Sequence, residues 1–397
     1  MCQQQKPYNC IVPPHILRAM AESKDKQVRD AALRTMMASS RIRGQREIVG
    51  RVRAAMLAPA PGKKSRSIHD AQHQFLNDFD LPGKLVREEG QPASQDRAVN
   101  EAYDGLGATY DFYSKTVGRN SIDDRGSRLV ATVHFDQDFN NAFWNGRQMV
   151  FGDGDGTIFV GFTRSLDVIG HELTHGVTEF TAGLEYHKQS GALNESFSDV
   201  FGSLVKQFAL KQNVDQADWL IGSEILAPGV NGVALRSMKD PGSAFDDDRL
   251  GGKDPQPKHM SGFLNLPDNE DNDFGGVHIN SGIPNFAFYL VARELGGNAW
   301  EQAGLIWYRS LLQLFEKAQF QDCANITTQV AGTLFGTDSK QQKAVKSAWS
   351  KVGINVEVPE IVGAGAGKLA SYGSNGNDLK RQLEIVSQSL GQLAASL

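Results

Sequence analysis

Only three cysteines, Cys2, Cys10 and Cys323, occur in the 397 residues. So sparse and odd a set cannot build a disulfide framework. No apolar run approaches the ~20 residues that cross a bilayer, and Met1 to Tyr8 carries no hydrophobic stretch of the signal-peptide kind. Neither a membrane span nor classical export is expected from such a sequence. Charge of one sign is also lacking, because 41 basic and 46 acidic side chains leave a net −5. The composition, 40% hydrophobic, excludes disordered and collagen-like chains and allows two or three lobes.

The small net charge hides an asymmetry. Residues 1–64 hold thirteen Lys and Arg against four acids, or +9, which leaves −14 for the remainder. A basic head joined to an acidic body suggests nucleic acid or an anionic membrane, a solvated helix face, or an intramolecular partner. From Pro14 to Leu57 apolar residues recur at helical spacing, among them Ile16, Met20, Val28, Ala32 and Met36. The pattern ends in Ala58-Pro-Ala-Pro-Gly-Lys-Lys64, which reads as an exposed, protease-accessible linker.

The next region mixes strands and turns. Leu129–Phe135 and Thr157–Phe162 are β-branched and aromatic runs that predict strands. The glycine sequence Gly152-Asp-Gly-Asp-Gly156 has neither dinucleotide-binding nor P-loop spacing, and its aspartates repel phosphate. From Asp167 onward helices dominate, over 167–180, 191–210, 283–295 and 299–320. The predicted class is α+β, with residues 1–64 as head and linker, 65–186 as a β-rich N-terminal lobe, 187–355 as an α-helical C-terminal lobe and 356–397 as a flexible extension.

Within the first of these helices lies His171-Glu172-Leu173-Thr174-His175. Four-residue spacing stacks both imidazoles on one helix face, where they converge on one metal, and sets Glu172 beside that face. Twenty residues after His175, Glu195 and Asp199 form an i,i+4 pair beside the apolar stripe Leu193, Phe197, Val200, Leu204. They read either as solvated acids or as a third zinc ligand with an acceptor for a ligand histidine's other N–H. Three protein ligands leave a position open, which marks a catalytic site. Further on, His278 follows a glycine pair and lies five residues after Asp273, a residue placed to orient it.

These motifs, with TAGLEY (181–186), GALNESFSDVFG (191–202), LRSMKDP (235–241), NAFWNG (141–146) and GGVHINSG (275–282), resemble the thermolysin-like metallopeptidases in order and spacing. The resemblance implies a two-lobed fold with one catalytic Zn2+ in the cleft, held by His171, His175 and Glu195, with Asp199 behind them. It implies Glu172 as general base and proton shuttle for attack of zinc-activated water. His278 and Tyr186 would hold the oxyanion, with Asp273 orienting His278. Asn141, the Ala142 carbonyl and Arg236 would grip the substrate backbone, and Phe159, Phe162, Val168 and Leu235 would line an apolar pocket for a bulky residue after the scissile bond.

The head resembles that of the protealysin-like members, which carry a short propeptide with a Pro-Pro motif. Here the motif is Pro13-Pro14-His15, with His15 where the prototype has Leu. The implied protein is a monomeric endopeptidase made as an autoinhibited proenzyme. Its partners are peptides or proteins and its own propeptide, with no nucleic acid and no membrane. Cys10 and His15 are further candidates for blocking the zinc directly. Calcium-rich relatives place carboxylates at the positions of Lys206 and Leu220, beside Asp167 and Asp215, so the paired calcium site is expected to be absent, with Lys206 near Asp167. Asp246–Asp248 and 268–271 could still bind a cation, but solvated loops are the preferred reading. Secretion is implied by resemblance alone, with a cytoplasmic location as the alternative. A competing class is a non-catalytic zinc or peptide-binding protein held closed by its head; an intact Glu172 argues against it, because a binder needs no general base.

Overall fold

The computed structural model describes residues 9–49, 63–77 and 80–357. The expected C-terminal extension and most of the linker lie outside the described residues. The head contributes a two-residue strand, β1 (Asn9–Cys10), and helices α1 (Pro14–Ala21) and α2 (Lys26–Val49). Pro14 opens α1 at a position where a missing N–H costs nothing, and Ile16, Leu17 and Met20 form its buried face.

The N-terminal lobe carries β2 (Arg66–Asp70), β3 (Lys84–Glu88), α3 (Arg97–Val117), β4 (Leu129–Val133), β5 (Ala142–Trp144) and β6 (Met149–Phe151). Its sheet runs in the order β1-β5-β6-β4-β2-β3. The central strands β6, β4 and β2 are parallel, and β1 from the head pairs antiparallel with β5 at that edge. Helix α3 starts where the Asp96 carboxylate accepts the Ala98 and Val99 amides, and it stops at Gly118 in a left-handed turn.

Thr157–Phe162 does not form the expected strand. Asp155 Oδ1 accepts the amides of Thr157, Ile158 and Phe159, which folds the start of the run into a turn. A single bridge at Phe159 to Leu226 and a 3-10 turn at Phe162–Arg164 follow.

The remaining helices are α4 (Leu166–Glu179), α5 (Lys188–Leu210), α6 (Asp273–Asn280), α7 (Gly282–Leu295), α8 (Gln302–Leu311), α9 (Phe320–Phe335) and α10 (Lys340–Lys351). The expected helix 299–320 is shorter, ending at Leu311, and after an irregular stretch Gln319 and Asp322 form the capping box that starts α9 as a new element. Helices α4 and α5 meet at two glycines. A Cβ on Gly202 would stand 2.4 Å from the Asp167 carbonyl, and one on Gly170 would stand 3.1 Å from Gly202 Cα. Only hydrogen side chains permit this approach, and the approach brings Glu195 on α5 against the histidines of α4. Among the described residues no helix is long and apolar enough to cross a membrane.

Candidate active site

Helix α4 presents His171 and His175 from consecutive turns, with their Nε2 atoms 3.0 Å apart. Glu195 Oε2 lies 3.5 Å from His171 Nε2, and Glu195 Oε1 lies 3.4 Å from His175 Nε2. All three side chains are buried. The other ring nitrogens are already spoken for: His171 Nδ1–H donates to Asp199 Oδ1 at 2.8 Å, and His175 Nδ1–H donates to Asn194 Oδ1 at 2.8 Å, with Ser198 Oγ at 3.0 Å. This fixes both Nε2 atoms as bare acceptors facing Glu195. Burial, then neighbouring His171, holds His175 well below the usual imidazole range, so it is the neutral form that a metal needs. Glu195 Oε2 and Glu172 Oε1 are buried without a hydrogen-bond partner. Two imidazoles, a carboxylate and an unpartnered carboxylate oxygen at one point suit a Zn2+ ion.

Asp199 is the hub behind the ligands. It receives Arg236 through Nε and Nη2, both at 2.8 Å, and Asn285 Nδ2 at 2.9 Å. Burial alone would raise its pKa, but Arg236 and His171 outweigh burial and keep it a carboxylate. Glu172, one residue beyond His171, turns Oε2 toward the Trp144 amide at 3.0 Å. Burial, then the nearby Glu195 charge, pushes its pKa well up.

Across the cleft, His278 stands on α6 after a left-handed run through Asp273, Phe274, Gly275 and Gly276. A Cβ at Gly275 would stand 2.8 Å from Lys188 Cγ, so glycine is required there both by its φ of 90° and by the close approach of α5. Asp273 Oδ1 accepts His278 Nδ1–H at 2.6 Å. Burial lowers the His278 pKa, yet Asp273 and Glu195 carry it up to about 9. The Tyr186 hydroxyl donates to Glu195 Oε1 and lies 3.2 Å from His278 Nε2.

A peptide already lies in this cleft, and it is the chain's own head. The Cys10 carbonyl accepts from His278 Nε2 at 2.7 Å. The Ile11 amide donates to the Ala142 carbonyl at 3.2 Å, and the Ile11 carbonyl accepts from Arg236 Nη1 at 3.0 Å. Asn141 takes the Val12 amide on Oδ1 at 3.0 Å and gives Nδ2 to the Val12 carbonyl at 3.3 Å. Ile11 and Val12 are fully buried and join the apolar cluster that includes Phe159, Phe162, Val168 and Leu235.

The chain matches the family models for the thermolysin metallopeptidase catalytic domain over residues 60–179 and alpha-helical domain over residues 182–354. It is a member of the thermolysin metallopeptidase family. It is 52% identical over 366 residues to the extracellular metalloprotease of Pectobacterium carotovorum subsp. carotovorum, covering 89% of this chain and 98% of the relative. It is 48% identical over 356 residues to protease PrtS of Photorhabdus sp. (strain Az29), covering 89% and 94%. Among solved structures it is similar to the precursor of protealysin, a metalloproteinase from Serratia proteamaculans, with a TM-score of 0.78 and 49% identity over 87% of this chain and 99% of that one. As a thermolysin-family, protealysin-like protein with a His-His-Glu centre, it is a zinc endopeptidase.

The sequence alone assigns no role to Asn194, Ser198 or Asn285, whose hydrogen bonds hold His175 and Asp199, nor to the Trp144 amide on Glu172. Asn194 adjoins a predicted ligand, which was its only signal; Asn285 reaches Asp199 across 86 residues, a contact that no local pattern carries. Of the candidates for blocking the zinc, Cys10 meets His278 through its carbonyl, while His15 sits at the start of α1 with both ring nitrogens buried and unpartnered.

Proposed function

We propose that the head, residues 1–64 with its linker, is an inhibitory propeptide that occupies the cleft as a substrate would, with the Cys10–Ile11 bond at the scissile position. The observation that carries this reading is the set of backbone hydrogen bonds from Asn141, Ala142, Arg236 and His278 to residues 10–12. Apolar burial of Ile11, Val12, Ile16, Leu17, Met20 and Val28 holds the head in place. Charge plays a smaller part: Arg18–Asp271 at 3.7 Å and Arg34–Asp138 at 3.6 Å are solvent-exposed pairs of the kind that contribute little.

In the mature enzyme His171, His175 and Glu195 hold the zinc, positioned by Asp199 and Asn194. The metal supplies Lewis acidity toward the scissile carbonyl and makes water nucleophilic near neutral pH. Glu172, its carboxylate anchored by one oxygen on the Trp144 amide, uses the other to take the proton from the attacking water and to deliver it to the leaving nitrogen. His278, kept cationic by Asp273, and Tyr186 donate to the oxygen on which negative charge develops. Asn141, the Ala142 carbonyl and Arg236 hold the two residues after the scissile bond. The buried seat of Ile11 favours a bulky apolar residue immediately after it.

The remaining assignments follow the same reading. Lobe boundaries fall near 65, 186 and 355, the chain acts as a monomer, and the naming of the Pectobacterium relative as extracellular supports secretion. The Lys206 ammonium, 3.0 Å from Asp167 and 2.8 Å from Asp218, takes the place of a paired calcium site; Asp218, rather than Asp215, is its second partner, since Asp215 pairs with Arg293.

The test compares hydrolysis of a quenched peptide by intact chain, by chain cut within 58–64, and by Glu172→Ala. Activity that rises on cleavage, disappears with chelator and is absent in the variant is expected. A head-free, zinc-loaded chain that cuts no peptide would move the protein to the binding class.

A further inference from the structure

Three neighbouring parallel strands of the N-terminal lobe release their chains at the same end of the sheet. His73 lies three residues after β2, His134 one residue after β4 and Asp153 two residues after β6. The carboxyl ends of adjacent parallel strands are where open sheets gather ligand-binding groups. Here they gather two imidazoles and a carboxylate. His134 Nδ1 lies 2.8 Å from Asp153 Oδ2, and His73 Nδ1 lies 3.3 Å from the same oxygen. The two rings are 5.0 Å apart between centroids.

We infer that His73, His134 and Asp153 form a second metal site, distinct from the catalytic centre, that takes a divalent cation of the zinc class. Imidazole with carboxylate is the donor set that zinc and its neighbours prefer over magnesium or calcium. Zn–N bonds of about 2.0–2.1 Å set neighbouring donors of a tetrahedron about 3.3 Å apart, and the two nitrogen–oxygen separations lie within half an ångström of that.

Further observations agree. His134 Nε2 donates to Asp96 Oδ2 at 2.8 Å while Nδ1 meets Asp153 Oδ2 at 2.8 Å, so a metal replacing the proton between Nδ1 and Asp153 would find the ring already held by Asp96, the carboxylate–histidine–metal arrangement. Asp96 and Asp153 together balance a dication, whereas a single proton on His134 leaves the group one negative charge in excess. His73 and His134 both hold left-handed backbone, at φ 57° and 53°, a conformation that non-glycine residues adopt at a cost and that a plain ion pair between His134 and its aspartates does not require of His73. The His73 amide donates to the His134 carbonyl at 2.9 Å, so the two loops are already joined. With His73 60% exposed, water completes the coordination, and the bound ion clips three strand ends to the N-terminus of α3.

The experiment counts zinc bound to the full chain after equilibrium dialysis against micromolar Zn2+ at pH 8, with the thermal midpoint measured beside it. Wild type is expected to hold two ions per chain. His73→Gln, an exposed change that leaves the sheet intact, and Asp153→Asn should each hold one and lose the metal-dependent rise in midpoint. His171→Ala should also hold one, and there the His73→Gln change should remove it, which separates this site from the catalytic one. Asp96→Asn should retain the second ion with 10–100-fold weaker affinity. A single ion in wild type that His171→Ala abolishes, or a second ion indifferent to His73→Gln and Asp153→Asn, would overturn the assignment and leave the cluster as a proton-bridged ion triad.

Discussion

Acid should loosen the head, and His15 should be the group that senses it. Both ring nitrogens of His15 are buried without partners, and burial lowers its pKa to about 4 against the weaker pull of Asp273, with His278, Arg18 and Arg236 adding to the fall. His278, at about 9, remains cationic throughout the range of interest, so a proton arriving on His15 meets three positive charges. The docked head therefore holds His15 neutral, while a released head binds a proton with the ordinary pKa of about 6.5. Since the docked pKa is the lower one, docking is at full strength above pH 6.5 and weakens as pH falls toward 4. Linkage between values of 6.5 and about 4 gives a weakening of about 20-fold between pH 7 and pH 5, or about 2 kcal/mol.

The assay is the ratio of initial rates, intact chain over head-free chain, measured from pH 7 to pH 5 with intact mass verified. Taking the ratio cancels the pH profile of catalysis itself. Glu172, whose pKa burial raises, works in the opposite direction, but equally in wild type and in His15→Leu. The difference in slope between those two chains thus reads His15 alone. A ratio in wild type that climbs no more steeply than in His15→Leu would refute the reasoning.

Ile11→Ala leaves every backbone bond of the docked strand in place but empties a fully buried site; a loss of about 3 kcal/mol should raise the activity of intact chain on the order of 100-fold, read as initial rate on a quenched peptide. His278→Ala in head-free enzyme should lower kcat by about 100- to 1,000-fold with KM little changed, and a comparable change in both parameters would make His278 a binding group instead. Lys206→Met strands the fully buried Asp167 and should cost about 3–5 kcal/mol, seen as a lower unfolding midpoint in denaturant. Because burial opposes the Lys206 charge while Asp167 and Asp218 raise its pKa above the ordinary value, that contribution should persist through neutral pH and fade only in strong alkali.

The zinc ligands were legible because their geometry is local. His171 and His175 share one helix face by spacing alone, and Glu195 with Asp199 needed only the next helix. What spacing omitted was the reason the two helices meet, which lies in Gly170 and Gly202, residues whose importance is their missing Cβ. The failed strand at 157–162 has a similar origin. Its residues carry strand propensity, but Asp155 captures three successive amides, and a side chain that competes for backbone donors overrides propensity. The cluster at His73, His134 and Asp153 left no trace in the sequence reading at all, since 80 residues separate its ends and only the parallel pairing of β2, β4 and β6 unites them.

A +9 segment joined to a −14 body suggests an intramolecular partner held by charge, whereas among the described residues the contacts that position the head are backbone hydrogen bonds to β5, Asn141 and Arg236, together with apolar side chains sealed from water. That distinction has a consequence for release. A lid held by surface charge would lift as salt screens it over about 8–10 Å, whereas a strand added to a sheet edge, with its side chains in a pocket, is nearly indifferent to ionic strength. Salt up to 1 M should therefore leave the intact chain silent, while protonation of one buried histidine in the same interface should not. The asymmetry follows from where the charges sit: the described pairs Arg18–Asp271 and Arg34–Asp138 are open to solvent, and His15 faces the catalytic His278 and its Asp273.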